Sequence, residues 1–160
     1  RETGGPSRYL MVEGTDAYMR NADGMFGLHW PAFGYSNPSN GFRDITDGTS
    51  NTFFTGETVY NYEGYTWSNR TPAPFAGTAK FGTARWVVGY PAIALGTTLK
   101  PFNVHTSAAV GGFASQHQGG ANFLYGDGSV QFLSQSIDFE VYNAAATRAG
   151  GEIPDEGIHN

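Results

Sequence analysis

The dipeptide Asp127-Gly128, set between Phe123 and Tyr125 on one side and Val130 and Phe132 on the other, constrains this chain more than any other feature. Alternating apolar residues on both sides of Asp-Gly mark two strands joined by a tight turn, because the central turn residues must tolerate positive φ. A two-residue loop pairs Gly126 with Ser129, Tyr125 with Val130, Leu124 with Gln131 and Phe123 with Phe132. Side chains alternate across a strand, so this register puts Phe123, Tyr125, Val130 and Phe132 on one buried face. Upstream, Ser115-Gln116-His117-Gln118-Gly119-Gly120 supplies a polar, glycine-rich approach to the hairpin.

The hairpin belongs to a chain of 160 residues, sized for one globular domain over residues 1–160. Glycine (23 residues) and aromatic residues (15%) are frequent while charged residues are few (14%). That balance favours short strands and tight turns. A net charge of −5, with Lys80 and Lys100 the only lysines, leaves no basic stripe to neutralise phosphates, and a nucleic-acid partner is not expected. Without cysteine the chain has neither disulfides nor thiolate metal sites. No apolar run reaches the roughly 18 residues that a spanning helix needs, so no membrane span is expected.

Along the chain, Ser7–Gly14 has the aromatic and β-branched character of a strand. Asp23-Gly24 marks either another hairpin turn or a loop entering a short strand, and residues 31–41 form a loop with local turn chemistry. Asp44-Ile45-Thr46-Asp47-Gly48 reads as a tight turn before a strand over Thr52–Val59, where Gly56 signals a bulge or a close approach. Further strands are expected at Tyr62–Ser68 and Arg85–Tyr90. The one convincing helix runs from Ile137 to about Arg148, with Ser136 as N-cap, Asp138 and Glu140 in the first turn, Arg148 in the last, and Gly150-Gly151 as the stop. Ile137, Val141 and Ala145 form its packing stripe. An acidic tail follows from Ile153. The fold class that results is α+β: an antiparallel sheet, long glycine-rich loops and a C-terminal helix packed on the sheet.

Three segments together resemble one family, the bacterial prepilin-like proteins abundant in planctomycetes that share a domain of unknown function. The first is His117, nine residues, then Asp127-Gly128, within Ser115–Asn122 and Gly126–Val130. The second is Asp47-Gly48-Thr49-Ser50-Asn51-Thr52 leading to Glu57, and the third is Ala146-Thr147-Arg148-Ala149-Gly150-Gly151-Glu152. The resemblance implies a pilin-like antiparallel domain, preceded in typical members by a leader and a long apolar helix. The chain would correspond to the C-terminal two-thirds of such a protein, a processed product in which no such helix precedes Tyr9. It also implies a structural, pilin-like or pseudopilin-like subunit at the cell surface or outside the cell. Such a subunit associates with itself into an oligomer or filament, with the type II secretion or type IV pilus machinery as a further partner. The motif residues so implied are His117, Gly119, Gly120, Asn122, Asp127, Gly128 and Ser129 with Asp47, Gly48, Ser50, Asn51 and Glu57.

The chemistry these residues offer has plainer readings beside it. If residues 121–126 form a strand at about 3.3 Å per residue, His117 and Asp127 stand on the order of 20 Å apart and share no metal. His117 then holds the Gly119-Gly120 turn through a hydrogen bond to backbone or to a carboxylate, Glu57 being the partner that the resemblance suggests. Asp44, Asp47, Ser50 and Glu57 are the best oxygen ligands for calcium, which takes about six to eight; the alternative is Asx-type capping of the turn. Ser50 or Ser115 with His105 or His117 and Asp127 has no nucleophile-elbow context, and no enzymatic activity is expected. The aromatics Trp30, Tyr35, Tyr62, Tyr65 and Trp67 suit either a carbohydrate-binding surface or core and interface packing.

Overall fold

In the computed structural model, residues 8–15, 22–37, 39–59, 61–81 and 94–151 are described. The expected strand Arg85–Tyr90, Glu152 and the acidic tail lie outside these residues. The main sheet has five strands in the order β7-β1-β4-β8-β9. These are β1 Arg8–Gly14, β4 Phe53–Thr58, β7 Leu95–Thr97, β8 Gly120–Tyr125 and β9 Val130–Ser134. β1 runs antiparallel to β4 and parallel to β7, and the ladder continues antiparallel through β8 to β9. Among the described residues two small ribbons accompany it: β2 His29–Trp30 with β3 Tyr35–Ser36, and β5 Asn61–Thr66 with β6 Ala79–Phe81.

This is a β-rich fold, which corrects the α+β expectation. Nine strands in three sheets stand against a single six-residue helix, α1 Phe139–Ala144, among the described residues. The physical reason lies in who takes the backbone hydrogen bonds after Ala144. Ala145 O accepts from Phe53 N on β4 at 2.7 Å, and Arg148 O accepts from Thr46 N at 2.8 Å. Arg148 N in turn donates to Asp23 O at 3.0 Å. Residues expected to prolong the helix to Arg148 are therefore bonded to other parts of the chain. At the front, Ser134 Oγ accepts from Ser136 N at 3.2 Å in a local turn, and Asp138 is the cap. Its Oδ1 accepts from Glu140 N at 2.8 Å and Val141 N at 3.3 Å, satisfying two otherwise orphaned donors. The buried stripe runs through Tyr142, Ala145 and Ala146, with Ile137 partly buried beside it.

The Asp-Gly hairpin forms, but one residue out of the expected register. Leu124 pairs with Val130, Phe123 with Gln131 and Asn122 with Phe132. Gly128 N donates to Tyr125 O at 3.0 Å, Tyr125 N to Ser129 O at 2.9 Å, and Gly128 has φ 88°. This is a three-residue loop, Gly126-Asp127-Gly128, closed by a residue in the left-handed region, one of the common alternatives to the two-residue turn. A single-residue slip sends every side chain to the other face. Phe123 and Tyr125 stay in the core with Leu133 (3% exposed), while Val130 and Phe132 point outward at 63% and 51%.

The core occupies one face of the sheet. Leu10 and Val12 of β1, Phe53 of β4, Phe123 and Tyr125 of β8 and Leu133 of β9 meet Tyr142 and Ala145 of the helical segment. Ring contacts dominate it: Phe53 meets Phe123 as a tilted pair at 4.5 Å, and Phe102 stacks on Tyr142 at 4.9 Å, between centroids. Gly56 is a close approach, since a Cβ there would run into the rings of Phe113 and Phe123. The register irregularity of β4 lies between Phe53 and Thr55 instead, and Phe54 there packs against Phe26 and Phe42. A smaller cluster, Val59, Tyr62, Ala109 and Ala114, sits beside the start of β5.

Two predictions follow from this packing. Leu133→Ala is expected to cost about 2–5 kcal/mol. Val130→Ala and Phe132→Ala should each change urea-unfolding stability by less than about 1 kcal/mol; the reverse ranking would restore the two-residue turn. The second concerns tyrosines. Burial pushes the Tyr142 phenol well above its ordinary range, with Tyr62 adding to the effect. Burial and then the Asp127 charge do the same to Tyr125. Because both folded values are raised, the associated stability is fully present below the unfolded tyrosine value of about 10. It is lost as pH rises beyond that, since only the unfolded chain then releases these protons. Urea midpoints measured from pH 8 upward should fall above pH ~10, and less steeply in Tyr142→Phe. At neutral pH that variant should be at least as stable as the parent, because the Tyr142 hydroxyl has no hydrogen-bond partner.

Candidate functional site

The residues that stand out in the sequence are drawn together in the structure by carboxylates that bind backbone. Glu57, on β4, is 2% exposed. Its Oε2 accepts from Asn122 N at 2.7 Å and Asn122 Nδ2 at 3.2 Å, and its Oε1 lies 3.4 Å from His117 Nε2. Asn122 is on β8, where the backbone pairing with β4 has stopped at Gly56–Phe123. The carboxylate thus takes the place of the next carbonyl in the ladder. A buried carboxylate without such donors would be costly. His117 is half-exposed, and its ring stands nearly perpendicular to that of Phe132, with centroids 6.3 Å apart.

The loop carrying His117 is fixed from below. Ser115 Oγ donates to Gly120 O at 2.6 Å and accepts from His117 N at 2.9 Å. Gly119, at φ 82°, turns the chain into β8, and its carbonyl accepts from Gln135 N at 2.7 Å. At Gly120 a Cβ would collide with the Leu133 carbonyl. These contacts give the glycine pair a job that a larger residue would obstruct.

Asp47 works on another part of the chain. Its Oδ2 accepts from Gly150 N at 2.7 Å and its Oδ1 from Gly151 N at 3.0 Å. Asp47 N donates to Arg148 O at 3.4 Å, so the turn and the segment after α1 are bonded from both sides. Within the turn, Asn51 Nδ2 donates to Asp47 O at 2.9 Å, Asn51 N to Gly48 O at 3.0 Å and Thr52 Oγ1 to Gly48 O at 3.1 Å. The same turn receives the hairpin tip: Asp127 N donates to Thr49 O at 3.1 Å and Gly126 N to Thr52 O at 2.9 Å. Asp127 Oδ1 accepts from Ser129 N at 2.8 Å, which closes its own loop.

The oxygen set proposed for calcium does not converge. Asp44 Oδ2 caps Gly41 N at 2.7 Å, Asp47 holds Gly150 and Gly151, Glu57 holds Asn122, and Ser50 is exposed. No group of three or more His, Asp or Glu among the described residues is placed to hold a metal. His117 and Asp127 lie beyond opposite ends of β8. The hydroxyl of Ser115 is directed to Gly120 O, away from any triad with Asp127. Of the aromatics, Tyr62 is buried and its hydroxyl lies 2.9 Å from Thr58 Oγ1, whereas Trp30 and Trp67 are exposed. One face of Trp67 is covered by Lys80, whose Nζ sits 4.6 Å from the ring centroid.

Two anchors escape sequence reasoning. Arg148, read as a helix-end charge, donates from Nη1 to Ala22 O at 3.0 Å and Gly24 O at 2.8 Å. Its position as the one charged residue in the run 144–151 is the signal that marks it. Asp23 hydrogen-bonds Thr15 through its carboxylate, accepting from Thr15 N at 2.7 Å and from the Thr15 hydroxyl; the Asp-Gly rule reads it only as a turn.

If these carboxylates are clasps, substitution should rank by burial of the donor left behind. Glu57→Ala strands the Asn122 amide and is expected to cost about 1–3 kcal/mol. Half-exposed His117→Ala should cost less than about 1 kcal/mol. Asp47→Ala should speed amide exchange at Gly150 and Gly151 without affecting Asn122. Urea unfolding and hydrogen exchange measure all three, and a larger effect for His117 than for Glu57 would contradict the clasp.

A comparison with known proteins gives one family match: the model for "Protein of unknown function (DUF1559)" covers residues 2–140. It takes in the first two motifs, and residues 146–152 lie beyond it. No curated protein and no solved structure matches the chain.

Proposed function

The chain belongs to the family described as Protein of unknown function (DUF1559), and on that premise we propose that it is a structural, self-associating subunit of an assembly at the cell surface or outside the cell. One observation carries this reading. The side chains that make up the sequence motifs hold the chain to itself: Glu57 on Asn122 and His117, Asp47 on Gly150 and Gly151, and the Asp47–Thr52 turn on the hairpin tip. Residues engaged this way maintain a shape, which is what a building block requires.

The surface supports the same reading. Phe33, Phe42, Phe75, Val130, Phe132 and Phe139 are each more than half exposed on a chain with 14% charged residues. Exposed aromatics with few charges are the composition of interface cores. The prepilin-like relationship, and with it the secretion or pilus machinery as a further partner, is part of this proposal through the sequence order of the motifs. No described helix is long and apolar enough to cross a membrane. Sedimentation velocity and electron microscopy across a wide concentration range test the reading. Concentration-dependent species larger than the monomer are expected, and a monomer at every concentration would refute it.

A further inference from the structure

The five-stranded sheet has two edges, and they are treated differently. β7 is short and buried, and Thr97 N is bonded outward to Gly111 O at 2.9 Å. β9 lacks the usual protections of an edge: it holds no Lys, no Pro and no register irregularity, and its residues Val130–Ser134 are uncharged.

Register decides which backbone groups of β9 face outward. Tyr125 N bonds Ser129 O and Gln135 N bonds Gly119 O. In an antiparallel ladder hydrogen-bonded pairs alternate with non-bonded ones, so Gln131 and Leu133 bond to β8 while Val130, Phe132 and Ser134 turn their N–H and C=O groups away. The position of Asn122 agrees: opposite Phe132, it turns its N–H toward Glu57 instead of β9. Ser134 O is used by Ile137 N at 3.0 Å. Among the described residues the outward groups of Val130 and Phe132 have no partner, and both side chains beside them are more than half exposed.

We propose that β9 is the self-association edge, pairing antiparallel with β9 of a second copy about a two-fold axis centred on Phe132. The proposal rests on the self-association reading above and gives it a surface. In this pairing each Phe132 N–H donates to the Phe132 carbonyl of the other copy, and Val130 stands opposite Ser134, whose carbonyl accepts from Ile137 N with one lone pair and offers the second to Val130 N–H. The sequence is self-complementary there, as a two-fold contact requires. A chain of net charge −5 meets a copy of itself with least repulsion along an uncharged strand, because like charges directly opposed across a ladder are destabilising. The nearest acidic groups in sequence, Asp127 and Asp138, lie outside the Val130–Ser134 ladder. The two-fold sets the Asp127 end of one strand beside the Asp138 end of the other, so the remaining repulsion is at the rim and is screened by salt. Main-chain bonds supply the attachment, as in strand addition generally, and the outward aromatic pair supplies the register.

Amide exchange followed by NMR from dilute to concentrated protein, alongside sedimentation velocity, tests this directly. Gln131 and Leu133 are expected to be protected throughout, while Val130 and Phe132 gain at least tenfold protection as dimer forms. Phe132→Pro removes an outward N–H, so it should leave the β8–β9 ladder and the circular dichroism spectrum intact and weaken the dimer at least tenfold. Should that variant fail to fold, Phe132→Lys, which charges the exposed edge, is expected to weaken it similarly. A dimer in which Val130 and Phe132 still exchange freely would overturn the β9 edge and leave self-association standing. Protection already complete in the dilute monomer would mean that the same chain covers the edge, and would also overturn it. A monomer at all concentrations would remove both readings.

Discussion

A carboxylate inside a sheet has to find donors, and the solution at Glu57 organises much of this molecule. β4 is the middle strand, and its ladder with β8 ends one residue before Glu57. There the side chain substitutes for backbone and takes the Asn122 amide. Its second oxygen faces His117 from the loop that introduces β8. The main chain of Glu57 is occupied as well, its carbonyl accepting from Ala114 N at 2.9 Å. One residue therefore joins two strands and the connection between them. Unpaired, the same group would be among the most destabilising in the chain, because buried polar groups are costly when their partners are missing.

The opposite face follows a different economy of space. Gly56 is next to Glu57, and its missing side chain is the room into which Phe113 and Phe123 fit. Gly96 on β7 makes a similar allowance for Phe113 and Leu10. Large rings over bare backbone let a sheet with short strands keep a dense aromatic core. They also explain how a glycine-rich chain holds together, since these glycines are sites of contact. Alternation along β4 thus puts a satisfied carboxylate on one side and a ring floor on the other, in adjacent residues.

Much of the sheet was legible because its signals are local. Aromatic and β-branched runs located β1 and β4 to within about a residue or two, and Asp127-Gly128 located the hairpin. What local rules missed is what distant residues decide. The hairpin register turned on whether Gly126 joined the loop, and Gly126 N is drawn to Thr52 O across the sheet. Local rules make the helix too long because the carbonyl of Ala145 is claimed by Phe53, and the carbonyl and amide of Arg148 by Thr46 and Asp23. In the site, Glu57 and His117 were associated only through the family resemblance. Asp47 reads as a turn or calcium residue because its partners, Gly150 and Gly151, lie about a hundred positions away. Spacing along the chain carries no trace of such contacts.

The three-residue turn at Gly126-Asp127-Gly128 has a bearing on how sequences of this kind can change. Parity, the oddness or evenness of the loop, decides which half of β9 is sealed in and which half meets the outside. Replacing residues in that loop alters a turn; gaining or losing one would exchange Leu133 for Phe132 at the core and rewrite the outer surface in the same step. Loop length is therefore under a stricter physical constraint than loop composition. With length held fixed, the outward positions of the strand can vary independently of folding, and one short segment can carry a stable interior and an adaptable exterior at once.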